Sequence, residues 1–296
     1  MAVEQLEVQA EVPVNITHPD KILFPEVHRT KIQYLQYLAT VAPVMLPYLA
    51  DRSITLVRCP HGAVGKRFYQ RHVLAGTPEF VPFRINAEGK KEIVIHNIAT
   101  LLHYGNLGAL EFHAGLHRLS VHEPDTLSFD LDPTDTSDFE RVREVAIHLR
   151  DTLQSLQLPS LVKTSGATGL QVYVPLQSTI PYDDSKRFVQ FIARYLEQKW
   201  PNIVTTERFV KDRGDKVYVD APQHGESRTL ICAYSVRATP SATVSTPITW
   251  SELENGCHPR DFTIDNVPDR IRKFGDLFHS EKRGSIRDLL EAISGQ

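Results

Sequence analysis

The chain has 296 residues, 41% of them hydrophobic and 23% charged, with a formal net charge of −3. This length can bury a sizeable core in one large domain or two closely packed ones. The slightly acidic balance excludes a chain that is basic overall and coats nucleic acid non-specifically, and no apolar run approaches the ~20 residues of a membrane helix. Three cysteines without a CxxC pair, and an N-terminus without a signal-peptide pattern, predict a cytoplasmic protein without a disulfide framework.

Residues 1–12 are predicted to form an acidic flexible tail, and residues 13–296 a single domain. Apolar residues recur at helical spacing or alternate along the chain, which separates helices from strands. In chain order, these patterns predict a helix over 30–49, a strand over 54–58, a helix over 96–110, a strand over 126–132, a helix over 139–153, a strand over 169–176, a helix over 184–199, strands over 216–220 and 228–234, and short helices over 267–277 and 284–293. Ser137 with Glu140 is a predicted capping box for the third helix, and the last two strands are predicted to be neighbours. The order indicates a mixed α/β or α+β fold with a central sheet.

The stretch FDLDP, residues 129–133, places two carboxylates one residue apart inside an apolar run. Side chains at i and i+2 of a strand share a face and lie ~6.5–7 Å apart, so Asp130 and Asp132 project together while Leu131 faces the core. Pro133 ends the ladder. Carboxylates this close repel each other unless a proton or a cation lies between them. A pair of divalent ions about 3.5–4 Å apart, held by such groups, serves in-line phosphoryl transfer, and hard oxygen ligands favour Mg²⁺ or Mn²⁺.

Each of these patterns also has a simpler explanation. The two aspartates can simply end a strand and cap the next loop, and Asp220, at the end of another alternating strand, can be a turn residue. The glycines of KTSGATGL, 163–170, allow backbone N–H groups to approach a phosphate, but they also fit an ordinary hairpin turn. The basic and aromatic segment GKRFYQRH, 65–72, is either a nucleic-acid contact or a solvated strand edge.

Taken together, the motifs resemble the polymerase domain of bacterial DNA ligase D, in the archaeo-eukaryotic primase superfamily. The resemblance extends from about residue 14 to about residue 293. It rests on HPDKILFP (18–25) with Thr30-Lys31, GALEFH (108–113), SFDLDP (128–133), KTSG…GLQVYVPL (163–176) and KVYVDAPQ…RTLICAYSVRA…STPITW (216–250). It implies a primase-polymerase fold of the α+β class, with a mainly antiparallel central sheet that carries the metal carboxylates, flanking helices and an N-terminal α/β subregion.

The resemblance also implies roles for individual residues. Asp130, Asp132 and Asp220 would be the catalytic residues and the ligands of two Mn²⁺ or Mg²⁺ ions. Lys21 and Lys31 would bind the 5′-phosphate of a DNA strand. The implied nucleotide-binding residues are Arg58, Phe68, His113, Ser165, Gly166, Gln223 and Arg237.

The implied activity is template-directed addition of nucleotides, often ribonucleotides, to DNA 3′ ends. It would serve gap filling and non-homologous end joining in a prokaryote, near the nucleoid and away from any membrane. The implied partners are DNA with 5′-phosphorylated ends or gaps, nucleoside triphosphates, Ku and a DNA ligase. No ligase lysine motif or phosphoesterase region is recognisable, so the chain is expected to be a stand-alone polymerase or one excised from a longer protein.

Four positions depart from the family pattern. Thr168 and Gln171 stand where the family often has lysine and histidine, Val57 where it has lysine, and His18 where it has asparagine. A lysine beside a triphosphate forms charge-assisted hydrogen bonds. We therefore expect weaker or altered nucleotide binding, with the metal carboxylates intact.

Two other functions fit parts of the sequence. A non-catalytic DNA-end-binding module of the same fold would explain the lost lysine and histidine. DLDPT, 130–134, also fits a DxDxT phosphohydrolase, in which Asp130 would be the nucleophile and Asp132 the general acid. That fold usually begins with this strand, whereas residues 1–125 precede it here, and it needs a later acidic pair, for which Asp183-Asp184 is a poor candidate.

Overall fold

The computed structural model describes residues 12–294, so the predicted tail over 1–12 lies outside this range except for its last residue. Within it there are seven α-helices, three 3-10 helices and fourteen strands. The α-helices are α1 Lys31–Leu49, α2 Ile98–Asn106, α3 Phe139–Ser155, α4 Tyr182–Lys199, α5 Trp250–Glu254, α6 Val267–Phe274 and α7 Arg287–Ser294. The 3-10 helices are Val210–Asp212, Ala221–Gln223 and Pro259–Asp261.

The strands form two main sheets and two short two-stranded sheets. The six-stranded sheet has the order β11 (Val204–Thr205), β12 (Val217–Val219), β8 (Thr126–Pro133), β10 (Leu170–Pro175), β9 (Leu161–Thr164) and β14 (Pro247–Ile248). The four-stranded sheet has the order β13 (Thr229–Ile231), β7 (Ala109–Arg118), β3 (Arg52–Arg58) and β4 (Phe68–Gln70). The short sheets pair β1 (Ile22–Phe24) with β2 (Arg29–Thr30) and β5 (Phe83–Ile85) with β6 (Lys91–Ile93).

Strand β8 lies at the centre of the six-stranded sheet, between β10 and β12, and both pairings are antiparallel. Its apolar residues Leu127, Phe129 and Leu131 are fully buried, as the alternating pattern predicts. Helices α3 and α4 both contact β8, and one large cluster of buried side chains joins them to both sheets. This mainly antiparallel α+β architecture with flanking helices confirms the predicted fold class.

The predicted cap of α3 is wrong by one residue. Asp138 is the N-cap, and its side chain accepts a hydrogen bond from the backbone N–H of Arg141 at 3.1 Å. The hydroxyl of Ser137, the predicted cap, donates instead to Asp135 at 2.7 Å. Serine and aspartate are both good cap residues, so the one whose oxygen remains available forms the cap.

Two further predictions about the elements are wrong. The strands predicted to be neighbours lie in different sheets, because β12 pairs with β8 whereas β13 pairs with β7. The helix predicted over 96–110 ends at Asn106. Gly108 then adopts a φ of +83°, a conformation that favours glycine and commonly follows the end of a helix.

Candidate active site

Three carboxylates from two paired strands meet at one cavity. Asp130 and Asp132 project from β8, on the side opposite the buried Leu131. Asp220 directly follows β12, and its backbone N–H donates to the carbonyl oxygen of Asp130 at 2.9 Å. The three side chains therefore line the same cavity, which has a volume of about 420 Å³. The structure thus brings together the three aspartates that the sequence patterns single out.

The carboxylates are crowded and largely shielded from solvent. Burial raises the pKa of Asp130 well above its ordinary value, and the charge of Asp132 raises it further. Burial and the charge of Asp220 likewise raise the pKa of Asp132. A cation among the three groups would relieve this repulsion, and their oxygen atoms suit a hard divalent ion. Within residues 12–294, no three His, Cys, Asp or Glu side chains are already arranged as the ligands of a metal ion. What suits the three aspartates to an ion is the chemistry of their oxygen atoms and their place on one cavity wall.

Neutral groups hold two of the aspartates in place. The side-chain amide of Gln171 donates from Nε2 to Asp130 Oδ1 at 3.0 Å. Asp220 Oδ1 accepts from the Tyr218 hydroxyl and from the backbone N–H of Gln223, both at 3.1 Å. Gln223, a predicted nucleotide-binding residue, lines the cavity and also donates its side-chain amide to the carbonyl oxygen of Thr229.

The predicted Ser-Gly loop lies between β9 and β10, beside the aspartates. Ser165 lines the cavity, and its hydroxyl oxygen accepts from the backbone N–H groups of Ala167 and Gly169 at 3.2 and 3.1 Å. Gly166 has a φ of +73°, and a Cβ there would lie 2.9 Å from the backbone nitrogen of Ser245. A Cβ at Gly169 would lie 2.4 Å from the carbonyl oxygen of Leu131. Glycine is therefore required at position 169 for the loop to pack against β8, and at position 166 for it to pack against the backbone of residues 244–245.

A buried carboxylate organises the basic side of the cavity. Glu111 Oε2 lies 2.8 Å from His113 Nε2 and 3.3 Å from Arg237 Nη1, and Glu111 Oε1 accepts from the backbone N–H of Ala238 at 3.0 Å. Burial acts to raise the pKa of Glu111, but the hydrogen bond from His113 and the charge of Arg237 outweigh it, so the pKa is lowered. Glu111 thus holds the two predicted nucleotide-binding residues, His113 and Arg237, at the cavity wall.

Comparison with known proteins places these residues in a family. The model of the LigD primase-polymerase domain matches residues 30–278. The chain belongs to the LigD primase-polymerase family. A solved structure described as the polymerase domain from Mycobacterium tuberculosis ligase D in complex with DNA superposes with a TM-score of 0.83 at 30% identity, covering 90% of this chain and 96% of that one.

Two curated LigD proteins show how much of a longer relative the chain represents. The bifunctional non-homologous end joining protein LigD of Bacillus subtilis strain 168 is 36% identical over 284 residues, which is 96% of this chain and 46% of that protein. The multifunctional non-homologous end joining DNA repair protein LigD of Mycobacterium tuberculosis H37Rv is 33% identical over 281 residues, or 90% of this chain and 37% of that protein. The chain therefore spans less than half the length of these relatives.

Arg58 and Phe68 lie outside the wall of the aspartate cavity. The Arg58 guanidinium donates to the carbonyl oxygen of Leu107 and to the side chain of Gln70. It also lies 5.1 Å from the ring centroid of Phe68. Of the neighbouring residues, it is Tyr69 and Arg71 that line the cavity. The two predicted residues therefore contact each other at the β3–β4 pairing.

Lys21 and Lys31 form a separate basic region. Lys31 is buried, and its ammonium group donates to the carbonyl oxygens of Thr17 and Asn106 at 2.6 and 3.0 Å. The ammonium group of Lys21 donates to the carbonyl oxygen of Pro60. The backbone N–H of Lys31 donates to the carbonyl oxygen of Lys21 at 2.8 Å. Burial lowers the pKa of Lys31, and the charge of Lys21 lowers it further. Neither lysine lines the aspartate cavity.

Several cavity residues escaped the sequence analysis. Arg71 and Arg228 add positive charge to that of Arg237, and Thr55, Tyr69 and Ala167 complete much of the remaining wall. Arg71 lies in the basic segment 65–72, and the composition of that segment is the signal for it. Arg228 directly precedes β13 and has no such signal, because only the pairing of β13 with β7 brings it to the site.

No helix in residues 12–294 is both long enough and apolar enough to cross a bilayer.

Proposed function

We propose that the chain is a nucleotidyltransferase that adds nucleotides to DNA 3′ ends in a template-directed reaction and releases pyrophosphate. The observation that carries this proposal is the meeting of Asp130, Asp132 and Asp220 at one cavity in a LigD primase-polymerase fold. The work of such an enzyme is gap filling and end joining at double-strand breaks, in accordance with the non-homologous end joining named for its LigD relatives.

The acidic and basic residues of the cavity suit the two parts of a nucleotide reaction. The three aspartates are the proposed ligands of two Mn²⁺ or Mg²⁺ ions, which would activate a 3′-hydroxyl and neutralise charge on the phosphates. Arg71, Arg228 and Arg237 also line the wall, and a guanidinium group can form paired hydrogen bonds with phosphate oxygens.

Individual contacts then position the nucleotide. His113 and Arg237 are held by Glu111, and they would contact the phosphates together with the Ser165–Gly166 turn. Gln223 would line the sugar or phosphate region from its place beside Asp220. Arg58 and Phe68, paired beside the cavity, would contact the nucleobase or the template. The departures Thr168 and Gln171 put neutral side chains on the wall, so phosphate binding would rely on the arginines.

The proposed DNA partner has a 5′-phosphorylated end or gap. The charge of Lys21 adds to burial in lowering the pKa of Lys31, and a phosphate between the two lysines would relieve that repulsion. The related polymerase domain of known structure is in complex with DNA. Ku and a DNA ligase are the proposed protein partners, in accordance with the non-homologous end joining named for its LigD relatives.

One alternative keeps a specific observation in its favour. The neutral Thr168 and Gln171 on the cavity wall favour a DNA-end-binding module of the same fold without catalysis. The DxDxT phosphohydrolase is not supported, because the aspartates lie on the eighth strand of a LigD polymerase-type fold.

Extension of a gapped duplex tests the proposal. The substrate is a primer–template with a 5′-phosphorylated downstream strand, incubated with Mn²⁺ and either ribonucleotides or deoxynucleotides. Wild type should extend the primer, and Asp130→Ala should bind the duplex equally well without extending it. Failure of wild type to extend any primer while binding the duplex would favour the non-catalytic module. Equal extension by wild type and Asp130→Ala would refute the assignment.

A further inference from the structure

Gln171 occupies a special position in the six-stranded sheet. It lies on β10, directly opposite Asp130 on β8 and directly opposite Lys163 on β9. Its side chain is almost completely buried, although it reaches the wall of the aspartate cavity. The side chain of Gln171 thus lies between an aspartate on one side and a lysine on the other.

The hydrogen bonds of Gln171 have a fixed direction. Its Oε1 accepts from Lys163 Nζ at 2.6 Å and from the Tyr173 hydroxyl at 3.2 Å, and its Nε2 donates to Asp130 Oδ1 at 3.0 Å. An ammonium group has only donors, so the oxygen of the amide must face Lys163. The amide nitrogen must then face Asp130. A reversed amide would place its NH₂ group against the Lys163 ammonium and its oxygen against the Asp130 carboxylate.

Within the described part of the chain, Lys163 has no carboxylate among its hydrogen-bond partners, and burial lowers the pKa of its ammonium group to about 7, while the nearby charge of Asp130 acts to raise it. Lys163 is fully buried, and its two acceptors, Gln171 Oε1 and Ser245 Oγ, both at 2.6 Å, are neutral. The Ser245 hydroxyl in turn donates to the carbonyl oxygen of Thr164 at 2.9 Å. A buried ammonium is costly unless its charge is compensated. The ammonium form of Lys163 polarises the Gln171 amide, and this strengthens the hydrogen bond that the amide donates to Asp130.

We infer that Gln171, supported by Lys163, is a positioning residue that fixes the orientation of the Asp130 carboxylate for metal binding. The inference rests on the proposed function, because it assigns Asp130 as a metal ligand. The hydrogen bond occupies Oδ1 and restricts rotation of the carboxylate. Loss of a group that orients a metal ligand in this way typically weakens metal binding by about 10–100-fold.

A set of variants separates positioning from mere filling of space. Gln171→Met keeps the length of the side chain but has neither donor nor amide acceptor. Gln171→His restores one donor and one acceptor in a single neutral ring. Lys163→Met removes the ammonium and leaves Tyr173 as the donor to Gln171 Oε1. Gln177→Met makes the same chemical change at an exposed site outside the aspartate cavity and serves as the matched control.

The first measurement is Mn²⁺ binding, followed by the loss of the free-ion electron paramagnetic resonance signal, with thermal unfolding as a check of folding. We expect Gln171→Met to bind Mn²⁺ about tenfold more weakly than wild type and Lys163→Met about threefold more weakly, with Gln171→His and Gln177→Met within about twofold of wild type. The double variant Gln171→Met/Lys163→Met should be no weaker than Gln171→Met alone, because both residues act through one hydrogen bond. In primer extension, kcat should follow the Mn²⁺ affinity while KM for the nucleotide changes less.

A second measurement needs neither metal nor nucleotide. The side-chain amide ¹⁵N–¹H signals of Gln171, identified by their absence in Gln171→His, should shift in Lys163→Met and in Asp130→Ala. Inactivity of wild type in primer extension would refute the proposed function, whereas unshifted amide signals would refute the inference itself. Wild-type Mn²⁺ affinity in Gln171→Met, or equally weak binding by Gln171→Met and Gln171→His, would also overturn it.

Discussion

The backbone N–H of Asp220 donates to the carbonyl oxygen of Asp130 across the β8–β12 pairing, at 2.9 Å. Asp220 is therefore placed by its main chain, and its side chain remains available to the cavity. The carboxylate oxygen Oδ1 accepts from the hydroxyl of Tyr218 and from the backbone N–H of Gln223. Through the second of these bonds, Asp220 caps the N-terminus of the 3-10 helix Ala221–Gln223. The placement of Asp220 and the chemistry of its side chain can thus be changed separately.

The first prediction uses this separation. Asp220→Asn keeps a side-chain oxygen that can accept both hydrogen bonds, so its free energy of unfolding should stay close to that of wild type. Asp220→Ala removes the cap and should cost about 1 kcal/mol of stability. Both variants lose a charged oxygen from the cavity, and both should lose at least about a hundredfold in nucleotide incorporation. Urea unfolding and primer extension measure the two effects, and an active Asp220→Asn would show that its charge is not needed.

The second prediction concerns the close approach of the Ser-Gly loop to β8. A Cβ at residue 169 would lie 2.4 Å from the carbonyl oxygen of Leu131, between the two aspartates of that strand. Gly169→Ala should therefore reduce the free energy of unfolding by about 2 kcal/mol and should also reduce incorporation, because β8 must shift.

Gly89→Ala is the control for Gly169→Ala. Gly89 has a φ of +77° and open space around its Cβ position, so only backbone strain of about 1 kcal/mol is expected, with activity retained. Equal losses of activity in the two variants would contradict the steric explanation.

The third prediction concerns Glu111, which holds His113 and Arg237 by separate contacts at 2.8 and 3.3 Å. Glu111→Gln removes the negative charge but keeps an acceptor for the backbone N–H of Ala238. We expect KM for the nucleotide to rise by about tenfold, because two charge-assisted contacts are lost, with a smaller change in kcat. Steady-state extension kinetics measure this, and a pure loss of kcat at unchanged KM would assign Glu111 to the reacting groups instead.

The fourth prediction concerns pH and His224. This histidine is fully buried, and its Nδ1 lies 3.3 Å from the backbone nitrogen of Ser128, which donates to the neutral ring. Burial lowers the pKa of His224 from 6.5 to about 3, with a smaller contribution from the charge of Lys186. A lowered pKa means that the neutral ring is favoured in the folded state. The resulting stability is fully present above pH 6.5 and is lost as the pH falls toward 3.

Between pH 7 and pH 4.5, the His224 term should reduce the free energy of unfolding by about 2–3 kcal/mol. His224→Asn offers an acceptor near the position of Nδ1 but has no titratable group. Chemical denaturation at both pH values should therefore show a smaller decrease for His224→Asn than for wild type, since all other titrating groups are shared. Identical decreases would show that His224 does not titrate in this range.

The elements that position the aspartates follow from local patterns in the sequence. The alternation around Leu127, Phe129 and Leu131 predicts both the strand and its buried face, and helical spacing predicts α3 and α4 within one or two residues. Local patterns do not indicate which strands pair with each other. Alternation defines the faces of β12 and β13 but cannot show that they pair in different sheets, and for that reason Arg228 could not be assigned to the cavity.

The residue assignments show the same limit at a finer scale. Alternation indicates only that Asp130, Asp132 and Asp220 each end or nearly end a strand, and their grouping as a site comes from the family resemblance. In the segment 68–71, however, alternate side chains face opposite ways. The register of β4 against β3, which sets Phe68 opposite Arg58, decides that Tyr69 and Arg71 line the cavity while Phe68 contacts Arg58. Likewise, Ser137 and Asp138 are equivalent cap candidates in sequence, and a third residue, Asp135, decides between them.

The ammonium group of Lys31 already serves the carbonyl oxygens of Thr17 and Asn106. A phosphate that recruits this lysine must share it with them or displace them, and Asn106 also ties Thr17 and Asn15 to the end of α2. Binding of a DNA 5′-phosphate at this lysine would therefore weaken the hydrogen bonds that hold residues 15–17 against the end of α2. Occupancy by a 5′-phosphate would then become visible as faster amide exchange over residues 15–17, at a distance from the aspartates.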